Sequence, residues 1–236
     1  MSQASACSVQ LPRRIGEPIH ERRLTENLVT SVGDIVRPGP GRSVFVIEEA
    51  DLGSGRPDVV LMTINTGALA AFRNSGLRVP SPLAAKILDP GFSENDLGVG
   101  RGHARALRRD LEVCGWSGVQ AERVALTLHD SLGVEAKIKD WRQAVRQVSK
   151  FRRLFHRSAV LMPRRVLPQQ LKVAMEFYGC GLLFQEASKI EWQRASSLNE
   201  PKVWAKLWLL ELLLRGLDDG TAYRAAALRN AEIATT

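Results

Sequence analysis

The stretch "GVEAKIKDWRQAVRQVSKF", Gly133 to Phe151, decides how the chain is read. Its first part alternates: in an extended strand Val134, Ala136 and Ile138 share one face, while Glu135, Lys137 and Lys139 share the other. Its second part changes period, with Trp141, Val145 and Val148 on one side of a helix that runs on toward Phe155. If the sheet holding this strand is covered on both faces, Glu135 and Lys137 project together into a crevice. Charges there are costly unless something compensates them.

The N-terminal segment "EPIHERRLTENLVTSVGDIV" places Leu24, Leu28 and Val32 at four-residue intervals, the spacing of an amphipathic helix. The Pro/Gly-rich "RPGPGR" ends it. "SVFVIEEADL" and "RPDVVLMTI", separated by "GSG", are β-branched runs that predict a strand pair. From 66 to 118 strand signal fades, and "PSPLAAKIL", "SENDLG" and "GRGHARALRRDLEVCGW" predict three helices. In the last, Ala104, Leu107, Leu111 and Cys114 form an apolar seam, and Arg101, Arg105, Arg108 and Arg109 lie outside it. That pattern suits a helix-turn-helix whose second helix is basic.

Strand character returns in "ERVALTL", expected to join "GVEAKIKD" through "HDSL" as a hairpin. "SAVLMP" and "GCGLLFQ" predict further strands, with "ASKIEWQRA" extending the latter, and "EPKVWAKLWLLELLLRGL" predicts a closing helix. The expected class is α/β, a mixed sheet flanked by helices with a helical insertion. The expected divisions are a flexible leader at 1–16, a core at 17–65 and 119–236, and an inserted module at 66–118.

The 236-residue chain is 44% hydrophobic and 25% charged, as in ordinary globular proteins, and its net charge of +8 favours polyanionic partners. Cys7, Cys114 and Cys180 lack the spacing of a zinc site or a disulfide framework, so a cytoplasmic protein is expected. The most apolar run, "VWAKLWLLELLLRGL", is broken by Lys206 and Glu211, so no membrane span is expected. "MSQASACSVQLPRR" lacks the pattern of a secretory signal.

Asp58 opens a strand in "GRPDVV". Together with Glu135 and Lys137 it makes two carboxylates on neighbouring strands beside a lysine, a set suited to a hard divalent cation such as Mg²⁺. Glu48 and Glu49 precede it and read either as further oxygen ligands or as solvated edge residues. Gln147 falls beside Phe151 and Leu154, away from the charged face of its helix, so its amide needs a partner. The opposite face carries Arg142, Arg146, Lys150, Arg153 and Arg157, either a solvated face or a stripe for phosphates.

Pro57-Asp58 followed by Glu135-Ala136-Lys137 resembles the PD-(D/E)xK nuclease superfamily, whose members have the restriction-endonuclease-like fold. The resemblance spans about Glu17 to Arg194, and the long helical segment within it would be a winged-helix-like insertion. It implies a metal-dependent nuclease acting on double-stranded DNA. It also implies Mg²⁺, with Mn²⁺ as the alternative, held by Asp58, Glu135 and the Ala136 carbonyl, with Glu26 acting directly or through water. Lys137 would position and help deprotonate the attacking water. Glu26, in "TENLV", stands where the superfamily often has a helical glutamate, and Glu21 is its rival. Gln147 and Phe151 match the glutamine and aromatic of RecB-like members, with Phe in place of the usual Tyr. The catalytic set so implied is Glu26, Asp58, Glu135, Lys137 and Gln147. The nucleic-acid contacts are Arg101, Arg105, Arg108, Arg109, Arg142, Arg146, Lys150 and Arg153. Rival readings are a non-catalytic DNA-binding protein on a degenerate scaffold, and a protein-association scaffold whose helix with Trp204 and Trp208 forms a homodimer surface.

Overall fold

Two β-branched runs form β1 (Arg42–Glu48) and β2 (Val59–Asn65), which pair antiparallel from Arg42↔Asn65 to Glu48↔Val59. The computed structural model describes residues 19–53, 55–90, 101–164, 168–187 and 189–225. The expected leader at 1–16 and the helix expected at "SENDLG" lie outside the described residues. Before β1 come α1 (Ile19–Thr30) and α2 (Val32–Ile35). After β2 come α3 (Thr66–Asn74), α4 (Pro82–Leu88), α5 (Arg101–Val113) and α6 (Gly118–Ala125). Then follow β3 (Leu128–Ala136), α7 (Trp141–Phe151), β4 (Arg157–Pro163), α8 (Gln169–Tyr178), β5 (Gly181–Glu186), β6 (Lys189–Arg194), α9 (Val203–Asp219) and β7 (Ala222–Arg224).

The strands make one mixed sheet in the order β6-β5-β4-β3-β2-β1-β7. The pairs β3–β4 and β4–β5 are parallel and the others antiparallel. Parallel neighbours need a crossover, and α7 and α8 supply these two. On one face Leu24, Leu28, Val32 and Ile35 pack against Val44, Val59, Leu132, Val134 and Ala136. On the other, α7, α8 and α9 share a larger core with Leu69 and Phe72 of α3, Ala85 of α4, Leu111 of α5 and Val124 of α6. The sheet is therefore covered on both faces, the condition that makes the charges near the end of β3 informative. Among the described residues no helix is long and apolar enough to cross a membrane.

Four local readings change. "ERVALTL" is not a strand: Ser117 Oγ accepts the Gln120 N–H at 3.1 Å and starts α6, which buries Ala121, Val124 and Ala125 at helical spacing. "HDSL" is not a turn but part of β3, where Ser131 is buried and Asp130 pairs with Arg157. "ASKIEWQRA" does not extend β5; the chain reverses at Ala187, whose φ is +53°, and returns as β6. Cys114 is exposed rather than in the α5 seam. The chain turns at Gly115 (φ +84°), and Trp116 is buried instead, with its indole N–H donating to the Arg78 carbonyl at 3.0 Å.

The helix expected to offer a homodimer surface directs its apolar residues inward. Leu207, Leu209, Leu210 and Leu213 of α9 are buried, and Trp204 and Trp208 stack on each other against the core.

Candidate functional site

The register of β2 on β3 ends at Val59↔Val134, so the residues just beyond, Asp58 and Glu135, meet at the rim of the sheet. Asp58 Oδ2 accepts the Ala136 N–H at 2.7 Å, fastening the start of β2 to the end of β3. The loop that delivers Asp58 is shaped locally. Gly53 has φ +67°, the Leu52 N–H reaches the Gly55 carbonyl at 3.1 Å, and the Glu49 N–H donates to the Asp58 carbonyl at 2.9 Å. Gly55 lies against α7, where a Cβ would come within 3.3 Å of the Phe151 ring. Helix α7 starts at Asp140, whose Oδ1 accepts the Gln143 N–H at 2.9 Å, and buries Ala144, Val145, Val148 and Phe151 on the sheet.

These elements enclose a cavity of about 290 Å³ lined by Asp58, Glu135, Lys137 and Gln147, with Glu49, Arg56 and Pro57 completing its wall. Four of the five expected catalytic residues thus converge. Ala136 adjoins them, its N–H held by Asp58 and its methyl group packed on the opposite face of the sheet.

Glu26 does not converge with them. It is exposed and pairs with Arg22 one turn back at 2.9 Å. Glu21 occupies the place expected of it: Lys137 Nζ donates to Glu21 Oε2 at 3.1 Å, and the Ile138 N–H approaches Oε1 at 3.5 Å. Five residues of helix turn the two glutamates to different faces. Leu24 and Leu28, which pack on the sheet, fix which face is which.

The electrostatics of the cavity are unbalanced. Glu135 is 1% exposed, with Oε1 3.4 Å from Lys137 Nζ and Oε2 buried without a hydrogen-bond partner among the described residues. Burial, then the negative charge of Asp58, pushes its carboxyl up to about 8, against the opposing pull of Lys137. Burial disfavours the Lys137 ammonium, but Glu135, Asp58 and Glu21 outweigh it and raise its pKa. Lys137 is therefore a proton-bearing donor in the cation-free protein. The help with deprotonation expected of it finds no support in that charge state.

Gln147 is half-buried on the cavity side of α7, and its Oε1 is buried without a partner among the described residues. Two orphaned acceptors, Glu135 Oε2 and Gln147 Oε1, thus belong to residues lining one small polar cavity. A divalent cation fits that donor set, since it would satisfy oxygen atoms and cancel the excess negative charge. Among the described residues no group of three or more His, Cys, Asp or Glu side chains forms a ready-made metal cage. Mg²⁺ usually takes one or two carboxylates and keeps water, so Asp58 and Glu135 are the protein's share of such a site.

The basic residues separate into two surfaces. Arg105 and Arg109 of α5 are exposed, whereas Arg108 reaches back to the Ile87 carbonyl at the end of α4 at 3.4 Å. The Arg101 side chain lies outside the described ones. On α7, Arg146 and Lys150 are exposed, as is Arg153 in the 3-10 turn that follows. Arg142 is also exposed, but it stacks over Trp141 and donates to Gln170 at 3.1 Å. Arg157 leaves this row, because it begins β4 and pairs with Asp130.

Sequence reasoning passed over Arg56, although its place two residues before Asp58 in the same loop was a readable signal. Searches against protein families, curated proteins and solved structures find no match to this chain.

Proposed function

We propose that the protein is a metal-dependent DNA nuclease of the PD-(D/E)xK type, with Asp58 and Glu135 as its metal-binding carboxylates. The observation that carries this reading is Glu135: a carboxylate at the end of a central strand, almost fully buried, with one oxygen lacking a partner among the described residues and a second carboxylate beside it. A group so placed is destabilising by itself and becomes intelligible when a cation is the missing partner. The bound cation supplies charge neutralisation and Lewis-acid polarisation of a phosphodiester. Glu21 holds the Lys137 ammonium at the cavity, and Lys137 donates to the attacking water or to the charge that develops on the phosphate. Gln147 orients a water or phosphate oxygen with its amide. The helices within 66–118 are read as the helix-turn-helix insertion, supported by the exposed Arg105 and Arg109, and duplex DNA is the proposed substrate.

The test is cleavage of single-stranded, duplex and branched DNA with and without Mg²⁺. Asp58→Ala and Glu135→Ala should each abolish Mg²⁺-dependent cutting while leaving the circular dichroism spectrum unchanged. Lys137→Ala should retain metal binding and lose most of the rate. An Asp58→Ala protein that cuts as fast as the parent would overturn the assignment. A parent that binds DNA in a salt-dependent way but never cuts it would support the non-catalytic alternative.

A further inference from the structure

Arg56 lines the cavity two residues before Asp58, and its position is built by an unusual backbone. Glu49 leaves β1 with φ +54°, a left-handed conformation that is uncommon for a residue carrying a Cβ. Arg56 Nε donates to the carbonyl oxygen of this Glu49 at 3.1 Å, and Nη2 donates to Glu49 Oε2 at 3.3 Å. A guanidinium carries five N–H donors in a planar fork, and Glu49 is the only hydrogen-bond partner of Arg56 among the described residues. The carbonyl contact fixes the root of the fork while donors remain for a ligand.

Lys137, the other cation of the cavity, is committed elsewhere. Its ammonium lies between Glu21 and Glu135 and its side chain is 14% exposed, so two of its three donors face carboxylates and one is left for the reacting centre. The Arg56 side chain is 55% exposed, and its ion pair is to a carboxylate that is itself 38% exposed. Exposed pairs of this kind are weak and exchange readily, whereas guanidinium and phosphate match each other through two parallel hydrogen bonds.

We propose that Arg56, not Lys137, grips the phosphodiester that enters the cavity, exchanging the Glu49 carboxylate for two phosphate oxygens while keeping its bond to the Glu49 carbonyl. The proposal rests on the nuclease reading above for the identity of the anion. It assigns substrate capture to Arg56 and leaves Lys137 to the reacting centre.

The experiment compares the parent with Arg56→Ala and Arg56→Lys. Binding of a fluorescein-labelled DNA duplex is measured over a salt series with Ca²⁺ in place of Mg²⁺, and single-turnover cleavage is measured with Mg²⁺. Arg56→Ala should remove about one unit from the slope of log affinity against log salt. It should also lower kcat/KM roughly ten- to a hundredfold, the range for hydrogen bonds to a charged group. Arg56→Lys should restore the slope but not kcat/KM, because an ammonium keeps the charge and loses the fork. An unchanged slope in Arg56→Ala overturns the proposal, as does full activity in Arg56→Lys. A fall in melting temperature that accounts for the lost activity also overturns it, since Arg56 would then only peg the loop. A parent that binds DNA without cutting it ends the nuclease reading, and the salt slope still decides Arg56; a parent that binds no DNA overturns both.

Discussion

Glu135 can shed its surplus charge in two ways, by keeping a proton or by taking a cation, and the two can be told apart by pH. In the cation-free folded protein its carboxyl holds a proton up to about pH 8, while the unfolded chain releases it near 4.5. Between those values the folded state binds more protons, so this residue makes stability fall as pH rises through the window. Glu135→Gln stays neutral throughout. It should melt higher than the parent at pH 8 in chelator, and the difference should vanish at about pH 4.5. Adding Mg²⁺ should raise the melting temperature of the parent at pH 8 and not that of the variant. Identical pH profiles for the two proteins would show that Glu135 is not the strained group. Gln147 gives a parallel test: its Oε1, without a partner among the described residues, implies that Gln147→Leu raises stability by up to about 1 kcal/mol while slowing single-turnover cleavage. A variant that loses stability instead would make Gln147 a packed core amide.

At the scale of elements, the cavity depends on how closely α7 and the turn after it approach β3. Gly133 allows that approach: a Cβ there would lie 2.8 Å from two Phe155 ring atoms and 3.0 Å from the Phe151 ring, and both rings are fully buried. Gly133→Ala should therefore cost about 1–3 kcal/mol by overpacking, read as a lower urea midpoint. An unchanged midpoint would mean the rings have room to shift. Helix α7 was legible in the sequence because its apolar period is local. Helix α6 was not, since Val124, Leu126 and Leu128 alternate as a strand would, while Ala121, Val124 and Ala125 are the positions that become buried. Helix α8 was hidden for a related reason. Leu171 and Met175 are buried, but Val173 and Phe177 are exposed, which blurs the amphipathic pattern.

At the scale of the whole molecule, a net charge of +8 says that an anionic partner is favoured but not where it lies. Among the described residues, exposed basic side chains stand on α5 and on α7 with its following turn. Arg105→Ala with Arg109→Ala, and separately Arg146→Ala with Lys150→Ala, should each lower the log-log salt slope of DNA binding by about two units if both residues of the pair touch phosphates. The pair that leaves the slope unchanged marks a merely solvated face. Arg108 is the poorer choice for this experiment, because removing it also frees the Ile87 carbonyl at the end of α4.

Local pattern was enough to place Glu135 and Lys137 apart from Val134 and Ala136, to join a strand to a helix across Asp140, and to call an α/β sheet covered by helices. Those properties follow from alternation along a strand and periodicity along a helix, both of which act over a few residues. Only the tertiary structure decided that Asp58 meets Ala136, 78 residues away, through a 2.7 Å hydrogen bond. It also decided that Glu21 rather than Glu26 reaches Lys137, and that Arg56 stands at the rim with a largely exposed guanidinium. These outcomes depend on strand register, on which helix face packs on the sheet, and on how much water is excluded where distant segments meet. Burial is a property of the assembled chain, and it is burial that turns two ordinary carboxylates and a lysine into a candidate site.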